Sequence, residues 1–196
     1  MFQAHSARNI LLAAAAMMLW TFSASPAYPQ KSAAKAAQAD EKYSDNLSRE
    51  IHHQLNTLPY YSVFDNLVFS VQGSKVTLKG FVLRRTLKTH AEQTIKDLSS
   101  ITSVVNEIEV LPVSTSDDEL RRALYRAIYE DKSLERYAVP TQPVIHIIVK
   151  NGSVDLEGTV DSAVDRSAAG ARAQSTPNVS SMKNNLAVRE KQSPNN

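Results

Sequence analysis

Histidine is the side chain best suited to move a proton or hold a metal near neutral pH, and the 196 residues hold five: His5, His52, His53, His90 and His146. His52 and His53 are adjacent on a stretch of helical periodicity, where neighbours diverge by about 100°, so they do not easily clamp one ion. His146 stands between Ile145 and Ile147 on a strand-like run and points to the opposite face. These read as surface or packing histidines. The chain has no cysteine, which removes disulfides, thiolate nucleophiles, acyl anchors on Cys and cysteine-ligated metals. No HExxH, GxSxG, P-loop or GxGxxG pattern occurs. Asp117 and Asp118 follow Ser116, with Glu119 three residues after it, and Asp165 follows Ser162 in the same spacing. That is the pattern of helix N-terminal caps. The sequence therefore offers no catalytic constellation, no metal site and no cofactor, and the chain reads as a non-enzyme.

The remaining chemistry is charge. With 22 basic and 20 acidic residues the chain is too nearly neutral for bulk nucleic-acid binding, and only a local patch can matter. Finding one requires the organisation of the chain.

An internal match runs at a constant offset of 78: Val71, Val76, Leu78, Gly80, Val82, Ala91, Asn106 and Val110 recur as Val149, Val154, Leu156, Gly158, Val160, Ala169, Asn184 and Val188. Register holds without a gap from Leu67 to Val110, so the chain carries two copies of one unit. Upstream the offset becomes 77, Leu47 and Ile51 matching Leu124 and Ile128. Each copy reads as helix, strand, strand, helix, strand. Leu47, Ile51, Leu55 and Leu58 recur at helical spacing before Pro59. Residues 67–71 and 76–82 alternate with period two around a turn at 72–75, a hairpin. In the second copy that turn holds Asn151-Gly152, the dipeptide best able to supply two positive φ values. A helix over 87–98 puts Leu87, Ala91, Ile95 and Leu98 on one face, and one strand alternates over 104–110. Gly80 and Gly158 fall inside strands, where glycine signals a bulge or a close approach; a crossing helix is the expected neighbour.

Residues 10–22 (ILLAAAAMMLWTF) are apolar and follow Arg8. They are shorter than the roughly 20 residues a membrane span needs, and Ser25-Pro26-Ala27 supplies small residues before a cut. Residues 1–27 thus read as a signal peptide cleaved after Ala27, with an uncleaved anchor as the rival reading. Export without cysteine points to the periplasm. Residues 28–45, rich in Ala, Lys and Gln, read as a flexible tether, 46–112 and 116–190 as the two domains, and 191–196 as a disordered tail.

The pattern V-x-x-G-x-V-x-L-x-G-x-V, then a helix with a basic residue three before Ala, then a hydrophobic residue, Asn and an alternating strand, resembles the BON domain (bacterial OsmY and nodulation). The second copy carries it as Val149, Gly152, Val154, Leu156, Gly158, Val160, Arg166, Ala169, Val179, Asn184 and Leu186. The first carries Val71, Val76, Leu78, Gly80, Val82, Lys88, Ala91, Ile101 and Asn106, with its turn glycine, Gly73, one position early. The resemblance implies an α+β fold: two tandem small α/β sandwiches, each a three-stranded mixed sheet with two helices. It also implies no known catalysis and roles in envelope or osmotic stress, in binding anionic phospholipid or in chaperoning envelope proteins. No nucleic-acid or small-molecule partner is expected.

The two copies differ in charge. Residues 75–96 hold six basic side chains against Glu92 alone, whereas 153–174 hold Arg166 and Arg172 against Asp155, Glu157, Asp161 and Asp165. Arg84 and Arg85 replace the cap Ser162 and Ala163, and Leu83 and Leu87 stand where the second copy has Asp161 and Asp165. A basic loop with apolar neighbours suits an anionic headgroup surface. Leu83, Arg84, Arg85 and Lys88 are the candidate lipid contacts; Gly80, Gly158, Asn151 and Gly152 are the fold-determining positions. A chaperone would instead use Tyr60, Tyr61 and Phe64, in the loop before the first strand.

Overall fold

The computed structural model describes residues 30–138 and 144–190, with side chains from residue 41. The expected signal peptide and tail, 1–27 and 191–196, lie outside the described residues.

The first unit comprises α1 (Gln30–Asn56), β1 (Asn66–Gln72), β2 (Lys75–Val82), α2 (Arg85–Lys96), β3 (Ser103–Asn106) and β4 (Glu109–Val110). The second repeats it as α3 (Thr115–Tyr129), β5 (Ile145–Lys150), β6 (Ser153–Val160), α4 (Ala163–Gln174), β7 (Ser181–Asn184) and β8 (Ala187–Val188). In each unit the middle strand pairs antiparallel with the strand before it and parallel with the two short strands after it. The fold is thus α+β, with two mixed sheets. Leu47, Ile51 and Leu55 of α1, Leu87, Ala91 and Ile95 of α2, and Val76, Leu78 and Val82 of β2 form one buried core. Leu124, Ile128, Ala169, Ala173, Val154, Leu156 and Val160 do the same in the second unit. Apolar residues at helical spacing meet those alternating along a strand, and removing both from water stabilises each unit.

The segment 28–45, read as a tether, is helical from Gln30 onward: Ala, Lys, Gln and Glu are strong helix formers, and no Gly or Pro interrupts them, although residues 41–46 are exposed. Three expectations need correction. The cap of α3 is Ser114, whose side chain accepts from the Asp117 N–H. Ser116 instead lies inside the helix, and the Asp117 carboxylate accepts from Asn151 and Gly152 N–H, both at 2.9 Å, holding the β5–β6 turn. The third strand is broken in each copy, at Glu107-Ile108 and at Asn185-Leu186. There the Asn106 side-chain oxygen accepts from the Ile108 N–H while its amide donates to the Lys88 carbonyl of α2. Asn184 makes the same pair of bonds to Leu186 and Arg166. One amide side chain thus shapes the break and ties it to the helix.

Gly80 and Gly158 are required by a strand, and the expected crossing helix is not what approaches them. Their φ angles are +110° and +115°. A Cβ at Gly80 would lie 2.0 Å from the Asn66 carbonyl oxygen, and one at Gly158 would lie 2.1 Å from that of Val144. At the hairpin, Asn151 and Gly152 have φ of 53° and 76°, as the dipeptide predicts. In the hairpin turn of the first copy Gly73 alone is positive, at 60°.

The two units meet through the loop between α1 and β1. Val63 and Phe64 pack against the second core, the Val63 carbonyl accepts from the Ile147 N–H of β5 at 2.7 Å, and Phe64 lies 6.3 Å from Tyr125, ring centre to ring centre. The Lys150 ammonium pairs with Glu109 across the same boundary.

Candidate functional site

The candidate basic loop is built by the end of β2 and the start of α2. Arg84 occupies the N-cap position of α2 in an extended conformation (φ −118°, ψ 129°) and gives the helix no side-chain cap. Ser162, its counterpart, accepts from the Asp165 N–H. The first copy therefore presents two arginines at a helix end that already carries partial positive charge. Arg84 and Arg85 are exposed, and among the described residues neither is in an ion pair. Leu83 and Lys88 are half-buried. Leu87 is 2% exposed and belongs to the core.

Asp65 fixes the loop from beneath. It is buried, accepts from the Ser62 N–H and hydroxyl, and takes the Leu83 N–H at 2.7 Å. Burial raises its pKa, against the pull of those donors and of the Arg84 charge. The residue that the sequence assigned elsewhere is Tyr60. It is 71% exposed, adopts φ +68°, and lies under the Arg84 guanidinium at 5.0 Å, a cation–π distance. The only sequence signal was an aromatic residue directly after the helix-ending Pro59.

Tyr61 and Phe64, grouped with Tyr60 as client-binding residues, do not stand with it. Phe64 lies in the boundary between units, and the Tyr61 ring is 5.7 Å from the His146 ring. Burial pushes the Tyr61 phenol up to about 12. His146, 8% exposed, is a packing histidine; burial brings it down to about 4, only partly opposed by the Asp65 and Ser62 carbonyls. Beside them a groove of about 580 Å³ opens, lined by His52, His53 and Asn56 of α1, the first half of β1, and Val144, His146 and Thr159. His52 is within 3.2 Å of the Asn56 amide. Among the described residues no three His, Asp or Glu converge as a metal would need.

The BON domain model matches residues 45–112 and again 116–190. The chain belongs to the BON domain family. The two tandem BON domains are the two repeats, and Gly80/Gly158 and Asn106/Asn184 are the paired positions whose structural work is described above. No curated protein matches the chain. Among solved structures the chain is similar to the C-terminal domain of CdsD, a structural protein of the type III secretion system of Chlamydia trachomatis, at 13% identity and a TM-score of 0.32, covering 74% of this chain and 98% of that one. A second CdsD structure matches at 13% identity and a TM-score of 0.31, covering 74% and 92%. No helix among the described residues is long and apolar enough to cross a membrane.

Proposed function

We propose that this is a non-enzymatic periplasmic envelope protein whose first BON domain docks on anionic phospholipid through Tyr60, Leu83, Arg84, Arg85 and Lys88. BON membership goes with an envelope-associated, non-catalytic role. The apolar run over 10–22, followed by Ser25-Pro26-Ala27, supports export with cleavage after Ala27. The carrying observation is the exposed Arg84–Arg85 step, in no ion pair among the described residues, beside the exposed Tyr60 ring. Each Lys or Arg near an anionic surface contributes about 1 kcal/mol, and tyrosine favours the headgroup boundary. The second BON domain has Ser162 and Ala163 at this place, and its Asp161 and Asp165 are engaged by Arg136.

The test is sedimentation of the mature chain with phosphatidylglycerol vesicles. Binding is expected to weaken with salt and to be absent on phosphatidylcholine. Losing two charges worth about 2 kcal/mol, R84E/R85E weakens it about thirtyfold or more, while Tm changes little because both side chains are exposed. Equal binding by wild type and variant sinks the proposal. The chaperone reading loses Tyr61 and Phe64 to the boundary between domains.

A further inference from the structure

The edges of the two sheets are treated differently. Both β1 and β5 pair with one neighbour, leaving one side of each without a strand. On β5 that side is closed: the Ile145 carbonyl accepts from the Tyr129 hydroxyl, the Ile147 N–H donates to Val63, and the Val149 carbonyl accepts from the Arg121 guanidinium at 2.6 Å. The corresponding outward positions on β1 are Leu67, Phe69 and Val71, because Gln72 and Lys75 close the turn as Lys150 and Ser153 do. Tyr61 and Leu67 line the same groove. Among the described residues no group bonds to the outward N–H or C=O of Phe69 or Val71. His52 takes the place of Tyr129 at the upstream offset, and it turns to Asn56.

An unpaired edge is a template for another strand, and proteins usually blunt it with lysine, proline or a cover. The β1 sequence, NLVFSVQ, has no charge and no proline, and Val68 is 47% exposed. The groove along its first half contains no Lys, Arg, Asp or Glu among its lining residues. A charged segment entering there would lose water and gain no counter-charge. An uncharged one would gain ladder hydrogen bonds and apolar contact with Leu67, Val68 and Val144. We infer that the β1 edge, facing the groove between the domains, is a docking site for an extended, uncharged polypeptide segment that adds to the sheet as a further strand. This site is separate from the arginine loop and does not depend on lipid binding.

The experiment uses the full mature chain and a labelled, end-capped heptapeptide of alternating Thr and Val. Saturable binding by fluorescence anisotropy is expected, with slowed amide hydrogen exchange at Phe69 and Val71 when the peptide is bound. Val68→Lys, an exposed substitution of the kind edges tolerate, weakens binding about tenfold while leaving Tm in place. R84E/R85E leaves peptide binding unchanged. Three outcomes overturn the inference: no saturable binding, equal binding by the same peptide N-methylated at every residue, or unchanged exchange at Phe69 and Val71. Protection of those amides in the free chain, rising with concentration as the mass doubles, also overturns it and assigns the edge to a second copy.

Discussion

At the junction between the middle strand and the second helix, the two BON domains meet the same demand by different means. The Leu83 N–H and its counterpart, the Asp161 N–H, each need a buried acceptor from the loop before the first strand. In the first domain it is the Asp65 carboxylate, at 2.7 Å. In the second it is the Tyr137 hydroxyl, at 2.8 Å, which in turn donates to Asp165. Arg136 bonds Asp165 at 2.5 Å and lies over the Tyr137 ring, and the Ser162 hydroxyl and Arg136 hold the Asp165 carboxyl below its usual value. The second junction thereby turns its charges on one another, whereas the first keeps its carboxylate underneath and leaves Arg84 and Arg85 facing out. A repeat that preserves backbone geometry has left the side-chain solution free, and that freedom is where the domains diverge.

The largest expected effect tests what the copies share. Gly80→Ala and Gly158→Ala should each cost about 3 kcal/mol or more, since each places a Cβ against a carbonyl and forces an alanine to positive φ. Urea unfolding of the two variants should show comparable losses; a mild effect in one domain alone would break the equivalence. The next concerns the boundary. His146 is neutral when folded, with its pKa lowered to about 4 from 6.5, so unfolded chain binds more protons between those values. Stability therefore falls on acidification from about pH 6.5 to pH 4, by up to about 3 kcal/mol. His52, His53, Tyr61 and Asp65 face the same region, and Asp65, with its pKa raised by burial, opposes the loss at the acid end. His146→Phe should flatten the pH dependence of Tm in that window; an unchanged slope would mean another group sets it. The smallest effect separates Asn106 from Asn184. Each alanine variant should cost about 1–2 kcal/mol, and Asn106→Ala more, because its amide also bonds Glu92 at 2.9 Å. Gly170 stands where the first copy has Glu92, so Asn184 has no such second partner there.

Periodicity and the offset of 78 made the elements, both cores and the hairpins legible, because burial of alternating and helically spaced apolar residues is written directly into residue order. Asn106 and Asn184 were visible as a pair, but their work was not: a two-residue break leaves the apolar alternation readable as one strand. Ser114, Thr115 and Ser116 are three consecutive capping residues, and composition alone does not choose among them. Arg84, Arg85 and Leu83 stood out by comparison with the second copy. Tyr61 and Phe64 did not reveal their role, since an apolar loop residue has no period and their partners, His146 of β5 and Tyr125 of α3, lie some 60 to 85 residues away in the chain.

The Val63–Ile147 bond also bears on the order in which the protein is made. β5 is buried over Ile145–Val149 on both of its faces, and such a strand is hazardous while it waits for partners. In chain order the first domain, with its Val63–Phe64 loop, is complete more than thirty residues before Ile145. The earlier copy thus serves as a ready-made guard for the later one, and reversing the two along the chain would remove it.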